Sequence, residues 1–195
     1  MNKYDKDKLI SADKETKIIQ VKDGTRIICS EAFDNVRAKK VILPEGVEEL
    51  EPNAFLRARH MEEVILPSTL RKVGDYAFHF CDSLKKIEFH DNVNYLGHGA
   101  FYGCTRLEEI HLNGDFCWNE NWIDSSPFQY MASIKKFVSK NKNFIVYDDM
   151  LFSADKTILF RCPVNKKQVS LPSNLVVIAN EAFNYCRYLR AIELP

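Results

Sequence analysis

The segment VILPSTLRKVGDYAFHFCDSLKK, residues 64–86, is the clearest copy of a unit that repeats through this chain of 195 residues. Its Ala-Phe pair recurs at intervals of 22 or 23 residues over the first half of the sequence, and once more near the end. The phenylalanines of these pairs are Phe33, Phe55, Phe78, Phe101 and Phe183. Fourteen residues before each stands a β-branched residue, and these are Ile19, Val41, Val64, Ile87 and Val169. We take that residue as position 0 of each repeat, so that the phenylalanine is position 14.

Apolar residues also align at other positions of the repeat. Position 2 holds Val21, Leu43, Leu66, Phe89 and Leu171, and position 9 holds Ile28, Leu50, Val73, Leu96 and Ile178. Positions 0 and 2 alternate as in a short β-strand with one buried face. A proline at position 3 of three repeats ends the strand, because proline cannot donate to the ladder. One coil of this length cannot bury its apolar face alone, so the repeat predicts a stacked solenoid.

The repeats contain the elements I-x-L-P, V/I-G, A-F-x-x-C and S-L-x-x-I. In these elements the chain resembles the BspA-type leucine-rich repeat family over essentially its whole length. The resemblance implies an α/β repeat fold, a right-handed leucine-rich-repeat solenoid with short parallel strands and an irregular or short helical opposite side. It also implies a cell-surface or secreted protein with an adhesin-like, protein-binding role. The resemblance supplies no catalytic residues, and a fold alone does not fix a function.

Two insertions interrupt the repeat. The repeat that begins at Ile110 reaches its phenylalanine, Phe128, four residues late. The repeat that begins at Phe137 carries a longer insertion, in which MLFSADKTILF, residues 150–160, predicts a β-hairpin around Ser-Ala-Asp-Lys. The N-terminal sequence KLISADKETKII, residues 8–19, shares this signature and predicts a second hairpin that caps the solenoid.

These features predict a single domain over residues 1–195. Its parts are the N-terminal cap (1–18), repeats of 22–27 residues (19–136), the repeat with the hairpin insertion (137–168), and the last repeat with the start of another (169–195). The final strand, in residues 191–195, has no following coil, and an uncovered strand edge can pair with another chain. We interpret this edge as a sign that the natural protein continues, with self-association through the edge as the alternative.

The composition argues against several classes of function. With 27 basic and 27 acidic residues, the chain lacks the basic excess typical of nucleic-acid binding. No apolar run approaches the roughly 18 residues of a membrane span, and residues 1–17 lack the apolar core of a signal peptide. The sequence shows neither a catalytic nor a cofactor-binding motif, so we predict a protein without enzymatic activity and without a cofactor.

The six cysteines do not predict a disulfide scaffold or structural zinc, since they are widely spread and form no C-x-x-C pair. Cys81, Cys104 and Cys186 share position 17 of their repeats. Cys81 and Cys104 stack on adjacent coils and could come within disulfide range. We nevertheless predict free thiols in the core, because free cysteine packs as a small hydrophobe.

Pairs of like charges precede successive strands and alternate in sign along the solenoid. They are Lys39-Lys40, Glu62-Glu63, Lys85-Lys86, Glu108-Glu109 and Lys135-Lys136. Neighbouring strands lie about 4.8 Å apart, so each lysine pair should lie beside a glutamate pair. We interpret these residues as ion pairs that hold the register, each contributing ~0.2–1 kcal/mol. A patterned binding face for a charged partner is the alternative.

An aromatic insertion is the first candidate for partner binding. Phe116, Trp118 and Trp122 lie in the segment that delays Phe128, and Tyr130 follows directly. Tryptophan and tyrosine are enriched in binding hot spots, and insertions in repeat proteins often gather on the binding face. The alternative is that these rings fold back as a local core under the longer loop.

The strand-lined face is the second candidate. Glu88, His90 and His111 fall on neighbouring predicted strands. The sequence offers no recognisable metal motif around the two histidines. We therefore interpret these side chains as polar groups exposed on a face that could contact a partner.

Together these observations predict a protein–protein interaction module whose partner is a protein of unknown identity, with no nucleic acid and no membrane insertion. Two alternatives remain open. One is a structural spacer without a ligand of its own. The other is a carbohydrate-binding module in which Trp118 and Trp122 stack on sugar rings.

Overall fold

The computed structural model describes residues 1–194, which contain eighteen short strands and one helix of four residues. Pro195, the last residue of the predicted final unit, lies outside the described residues. The elements are, in chain order, β1 (Lys3–Asp5), β2 (Lys8–Ser11), β3 (Ile18–Gln20), β4 (Ile27–Ile28), β5 (Lys40–Ile42), β6 (Glu49–Leu50), β7 (Glu63–Ile65), β8 (Lys72–Val73), β9 (Lys86–Glu88), β10 (Tyr95–Leu96), β11 (Glu109–Leu112), α1 (Asn121–Asp124), β12 (Lys136–Ser139), β13 (Phe144–Tyr147), β14 (Met150–Ser153), β15 (Ile158–Arg161), β16 (Gln168–Ser170), β17 (Val177–Ile178) and β18 (Ala191–Glu193).

The chain winds into a solenoid, as the repeat predicted, and the strands at position 0 form what we call the first wall. These strands are parallel and in register, so that Val41 lies beside Val64 and Ile87 beside Ile110. The first wall consists of three sheets, β3-β5-β7, β9-β11-β12 and β16-β18. The position 0 side chain points into the core in nearly every coil, since Ile19, Val41, Ile87 and Ile110 are all buried.

A second wall is formed by the strands that come next along the chain after each strand of the first wall. Half of its ten strands are only two residues long, and they place position 9 in the core, as at Leu50 and Val73. They form the sheets β1-β2-β4-β6-β8-β10 and β13-β14-β15-β17. The opposite side of the solenoid is therefore a ladder of very short strands together with turns, and α1 is its one helix within residues 1–194.

The third wall is built from turns that contain the Ala-Phe pairs. The backbone N–H of Phe55 donates to the carbonyl of Ala77 at 2.8 Å, and Phe78 donates to Ala100 in the same way. The phenylalanine rings stack with nearly parallel planes, and the centroids of Phe33 and Phe55 are 4.4 Å apart. The stack continues through Phe78, Phe101 and Phe128. One aromatic column thus runs through five coils and joins them along their common axis.

The column at position 17 contains free thiols, as predicted. Cys81 and Cys104 are buried and unpaired. The Cys81 Sγ–H donates to the carbonyl of Phe55 at 3.3 Å, and the Cys104 Sγ–H donates to that of Phe78 at 3.0 Å. Each thiol therefore bonds to a carbonyl of the preceding coil as well as filling space.

The longer insertion forms a three-stranded antiparallel meander of β13, β14 and β15. The predicted hairpin over residues 150–160 is confirmed as β14 and β15, and β13 is an additional arm. β15 then enters the second wall, where it runs parallel to β17. The insertion is thus part of the solenoid wall and does not project as a separate unit.

Arg161 occupies the place of a turn that this coil lacks. The chain returns from β15 to β16 through residues 162–167, so it has no Ala-Phe turn. The buried guanidinium donates to the carbonyls of Met131 at 2.9 Å and Asn184 at 2.8 Å, and also to the carbonyl of Glu181. Burial lowers the pKa of Arg161 from its ordinary value. The Arg161 side chain thus links the preceding coil, which contains Met131, to the following coil, which contains Glu181 and Asn184.

The N-terminal hairpin differs from the prediction. It consists of β1 and β2, so the antiparallel pair lies within residues 3–11 and not over residues 8–19. Ser-Ala-Asp-Lys is followed here by the polar Glu15, Thr16 and Lys17, which give no apolar strand to fold back on β2. The next apolar residues, Ile18 and Ile19, instead enter the first wall beside β5.

Candidate functional site

The first wall is interrupted between β7 and β9, which belong to different sheets. The second wall is continuous at the same level, because β8 pairs with β10. The interruption coincides with the replacement of leucine by the bulkier Phe89 at position 2. The two strands leave a hollow of about 310 Å³, which is lined by Val64, Ile65, Leu66, Glu88 and His90. We refer to these five residues as the strand-face hollow.

The strand-face hollow combines an exposed apolar side chain with polar groups. Ile65 is 40% exposed although it lies in the middle of a wall. The His90 Nε2 lies 3.1 Å from the carbonyl oxygen of Leu66 and can donate to it, which ties the two edges of the gap together. Glu88 is exposed, with Lys86 Nζ 3.3 Å and His111 Nδ1 3.9 Å from its carboxylate. This combination offers a partner an apolar contact beside a charged pair.

His111 connects Glu88 to the neighbouring strand. Its Nδ1 lies 3.9 Å from Glu88 Oε1, and its Nε2 contacts the carboxylate of Glu109. The hydrogen bonds from His111 and Lys136 lower the pKa of Glu109 from its ordinary value. The structure thus brings together three predicted residues, Glu88, His90 and His111, along one side of the gap.

The predicted alternation of charged pairs produces ion pairs on both sides of the gap but not across it. Lys39 and Lys40 contact Glu62 and Glu63 at 3.0 and 2.9 Å. Glu108 and Glu109 contact Lys135 and Lys136 at 2.9 and 3.1 Å. Lys86 instead contacts Glu88 on its own strand at 3.3 Å. Within residues 1–194, Lys–Glu ion pairs between strands are therefore missing on both sides of β9, across the gap to β7 and also towards its hydrogen-bonded neighbour β11.

The aromatic insertion forms a local core, the alternative that the sequence left open. Trp122, on α1, is 1% exposed, and Phe116 is buried equally deeply. The Trp122 ring centroid is 5.6 Å from that of Phe144 and 5.9 Å from that of Phe128. In this fold the rings of Phe116 and Trp122 are covered by the protein itself and are not available to a partner.

The other aromatic residues near the insertion are more accessible. Trp118 is half-buried, and its ring centroid is 6.0 Å from that of Phe160. Tyr130 is 36% exposed on the third wall, where its ring centroid is 4.5 Å from that of Tyr102. These two residues therefore lie on different surfaces from the strand-face hollow, and the structure does not combine them with it into one site.

Within residues 1–194, no group of three or more His, Cys, Asp or Glu side chains is placed to hold a metal ion. No helix in this part of the chain is long and apolar enough to cross a membrane.

The geometry and the repeat define a class of protein, a leucine-rich-repeat solenoid. The sequence matches the family described as the BspA type leucine rich repeat region in six copies, over residues 26–159 and 156–195. The chain belongs to this family. Membership supports a protein-interaction repeat domain.

Solved structures share the fold. The pneumococcal vaccine antigen PcpA is similar with a TM-score of 0.74 and 22% identity, over 95% of this chain and 57% of that one. A leucine-rich repeat protein from Eubacterium ventriosum gives 0.64 and 18%, over 91% of this chain and 55% of that one. This chain thus spans little more than half the length of either protein.

A leucine-rich cell surface protein from Faecalibacterium prausnitzii is similar with a TM-score of 0.50 and 17% identity, over 100% of this chain and 70% of that one. Identities this low show a common fold and nothing more specific. A search of curated protein sequences finds no match to the chain.

Proposed function

We propose that this domain binds a protein partner through the strand-lined first wall, centred on the strand-face hollow, and that it has no catalytic activity of its own. The observation that carries the proposal is the gap between β7 and β9, where the exposed Ile65 lies beside Glu88 and His90. An apolar centre with a polar surround is the usual arrangement of a protein interface.

An adhesin-like role at a cell surface is part of this proposal. It is supported by the family, and by the description of the F. prausnitzii protein as a cell surface protein. The partner would then be a protein outside the cell. A structural spacer without a ligand is the alternative, and it predicts that no surface substitution alters binding.

The experiment is a binding assay of the purified domain on a panel of immobilised extracellular proteins, with Ile65→Ser as the test variant. Ile10→Ser is the matched control, because Ile10 is also a strand isoleucine and is 42% exposed, but it lies at the N-terminal end of the second wall. We expect at least one protein to bind saturably and Ile65→Ser to weaken that binding about tenfold or more, as for a central interface residue. Ile10→Ser should bind like the unchanged domain.

Two results would contradict the proposal. Equal binding by Ile65→Ser and the unchanged domain would place the interface elsewhere. Binding to a glycan array in place of the proteins would favour the carbohydrate alternative, in which Trp118 remains the one accessible tryptophan.

A further inference from the structure

The third wall contains two left-handed backbone positions in each regular coil, positions 12 and 16. In the coil that begins at Val64 these are Tyr76 and Phe80, with φ of 55° and 56°. In the next coil they are Gly99 and Gly103. Bulky side chains are rare in this conformation because the Cβ crowds the backbone. Two aromatic residues are therefore held in an unfavourable backbone region on an exposed wall.

The glycines of the next coil make room for these rings. A Cβ built on Gly99 would lie 2.4 Å from a ring atom of Tyr76, and one built on Gly103 would lie 2.4 Å from a ring atom of Phe80. Each ring thus covers a glycine backbone. The combination of left-handed aromatics with glycines beneath them places flat rings on the surface and not in the core.

These rings belong to a larger group, which we call the aromatic patch: Tyr76, His79, Phe80, Tyr102 and Tyr130. The ring centroids of His79 and Tyr102 are 5.3 Å apart, and those of Tyr102 and Tyr130 are 4.5 Å apart. Tyr76 is 37% exposed and Tyr130 is 36% exposed. The patch crosses three successive coils, so it could contact several residues of an extended partner.

A hollow of about 320 Å³ adjoins the patch at Tyr76. The other residues that line it are Asp75, His98, Asn121, Asp124 and Ser125. The Asp75 carboxylate is held in place, since its Oδ1 accepts the His98 backbone N–H at 3.0 Å and the Tyr95 hydroxyl at 3.3 Å. An aromatic ring and two carboxylates thus face the same space.

The charges around the hollow indicate the chemistry of its ligand. The ion pairs within residues 1–194 involve other carboxylates, so Asp75 and Asp124 are not neutralised by a cation. At the far edge of the patch, the guanidinium carbon of Arg59 lies 6.0 Å from the Phe80 ring centroid. The patch therefore already accepts one guanidinium, from its own chain. Sugar hydroxyls could donate hydrogen bonds to the carboxylates, but only a cationic group would also neutralise their charge.

We propose that the hollow beside Tyr76 binds an arginine side chain from a basic segment of a protein partner. The guanidinium would stack on the Tyr76 ring and hydrogen-bond to the carboxylates of Asp75 and Asp124, a combination that suits its planar, charged shape. The inference rests on the proposed function in that the ligand is a protein, but it assigns a second surface on a different wall.

The test is fluorescence anisotropy with a labelled peptide that contains two arginines separated by glycine, compared with the same peptide in which neutral citrulline replaces arginine. Tyr76→Asn and Asp124→Asn are the test variants. Asparagine is tolerated at position 12, since Asn53 holds this position in the coil just before that of Tyr76, with φ of 60°. Glu120→Gln is the matched control, because it removes one negative charge next to α1 from a side chain outside the hollow.

We expect saturable binding of the arginine peptide and much weaker binding of the citrulline peptide. Each test variant should weaken binding by about tenfold, the effect expected for a lost cation–π or charged contact, and Glu120→Gln should bind like the unchanged domain. Equal binding of both peptides, no binding, equal loss in Glu120→Gln, or binding of an oligosaccharide pool in place of the peptide would overturn the inference.

The outcome is separable from that of the proposed function. Ile65→Ser should leave binding of the arginine peptide unchanged, because Ile65 lies on the first wall. If Ile65→Ser does not affect the protein partner while Tyr76→Asn abolishes peptide binding, the strand-face proposal fails and this one stands. The reverse pattern overturns this inference alone.

Discussion

At the scale of single residues, the phenylalanine at position 14 contributes most to the joining of coils. Phe78 is fully buried, and its ring stacks on Phe55 at 5.0 Å and on Phe101 at 5.7 Å between centroids. We expect Phe78→Ala to lower the free energy of unfolding by about 3–5 kcal/mol, the range for emptying a buried aromatic site. Urea unfolding measures this loss. Phe183→Ala, at the same position but only half-buried, is the control and should cost less.

The cysteines should differ in reactivity according to burial. Burial raises the pKa of the Cys81 thiol well above its ordinary value, so little reactive thiolate forms at pH 8. Cys117, by contrast, is exposed. We expect iodoacetamide to label Cys117 in the folded protein, and Cys81 only after unfolding. Mass spectrometry of the labelled peptides would show this, and early labelling of Cys81 would mean that the core column is wrongly placed.

The residue types predicted which repeat positions are buried, but not the backbone conformation of the exposed positions. Position 14 is phenylalanine in coil after coil, and an apolar column of this kind can only be a core. The left-handed residues at positions 12 and 16 carry no such signal, because Glu31, Tyr76 and Phe80 occupy them as readily as glycine does. Their conformation follows from the packing of adjacent coils and not from their own preferences.

At the scale of elements, Arg161 shows how a coil can be shortened. Its guanidinium satisfies carbonyls that would otherwise be buried without a donor. We expect Arg161→Met to destabilise the protein by ~3–5 kcal/mol, the range for breaking a buried charged network. Arg161→Lys should recover little of this loss, because one ammonium cannot reach three carbonyls on different turns. Thermal unfolding of both variants measures the difference, and full recovery by lysine would show that only the charge matters.

Hairpins were predictable where apolar runs flanked a turn and not elsewhere. β14 and β15 follow from MLFSADKTILF because both arms are apolar. The β1–β2 turn lies at Lys6, which has a φ of 54°. The sequence gives no turn signal there, because this position holds neither glycine nor asparagine. The second wall was missed for a related reason, since a strand of two residues is too short to show any periodicity.

At the scale of the whole molecule, each wall presents a different kind of surface. The first wall carries charged pairs and the strand-face hollow, the second wall is formed by two sheets that close the core, and the third wall carries the aromatic patch. The sequence placed Glu88, His90 and His111 together, because they follow from the strand alternation. It could not show that Trp122 is buried or that the ladder opens beside Ile65, because both depend on how the insertion and Phe89 pack against neighbouring coils.

Hydrogen–deuterium exchange, with and without the partner found in the binding panel, would locate the interface. Without the partner, the amide of Leu66 should exchange faster than that of Leu43, because the Leu43 N–H donates to the carbonyl of Ile65 at 3.1 Å whereas β9 offers Leu66 no such bond across the gap. With the partner, we expect protection at residues 63–66 and 86–90 and no change at residues 8–11. Protection confined to other walls, with the gap still exchanging freely, would contradict partner binding at the strand-face hollow.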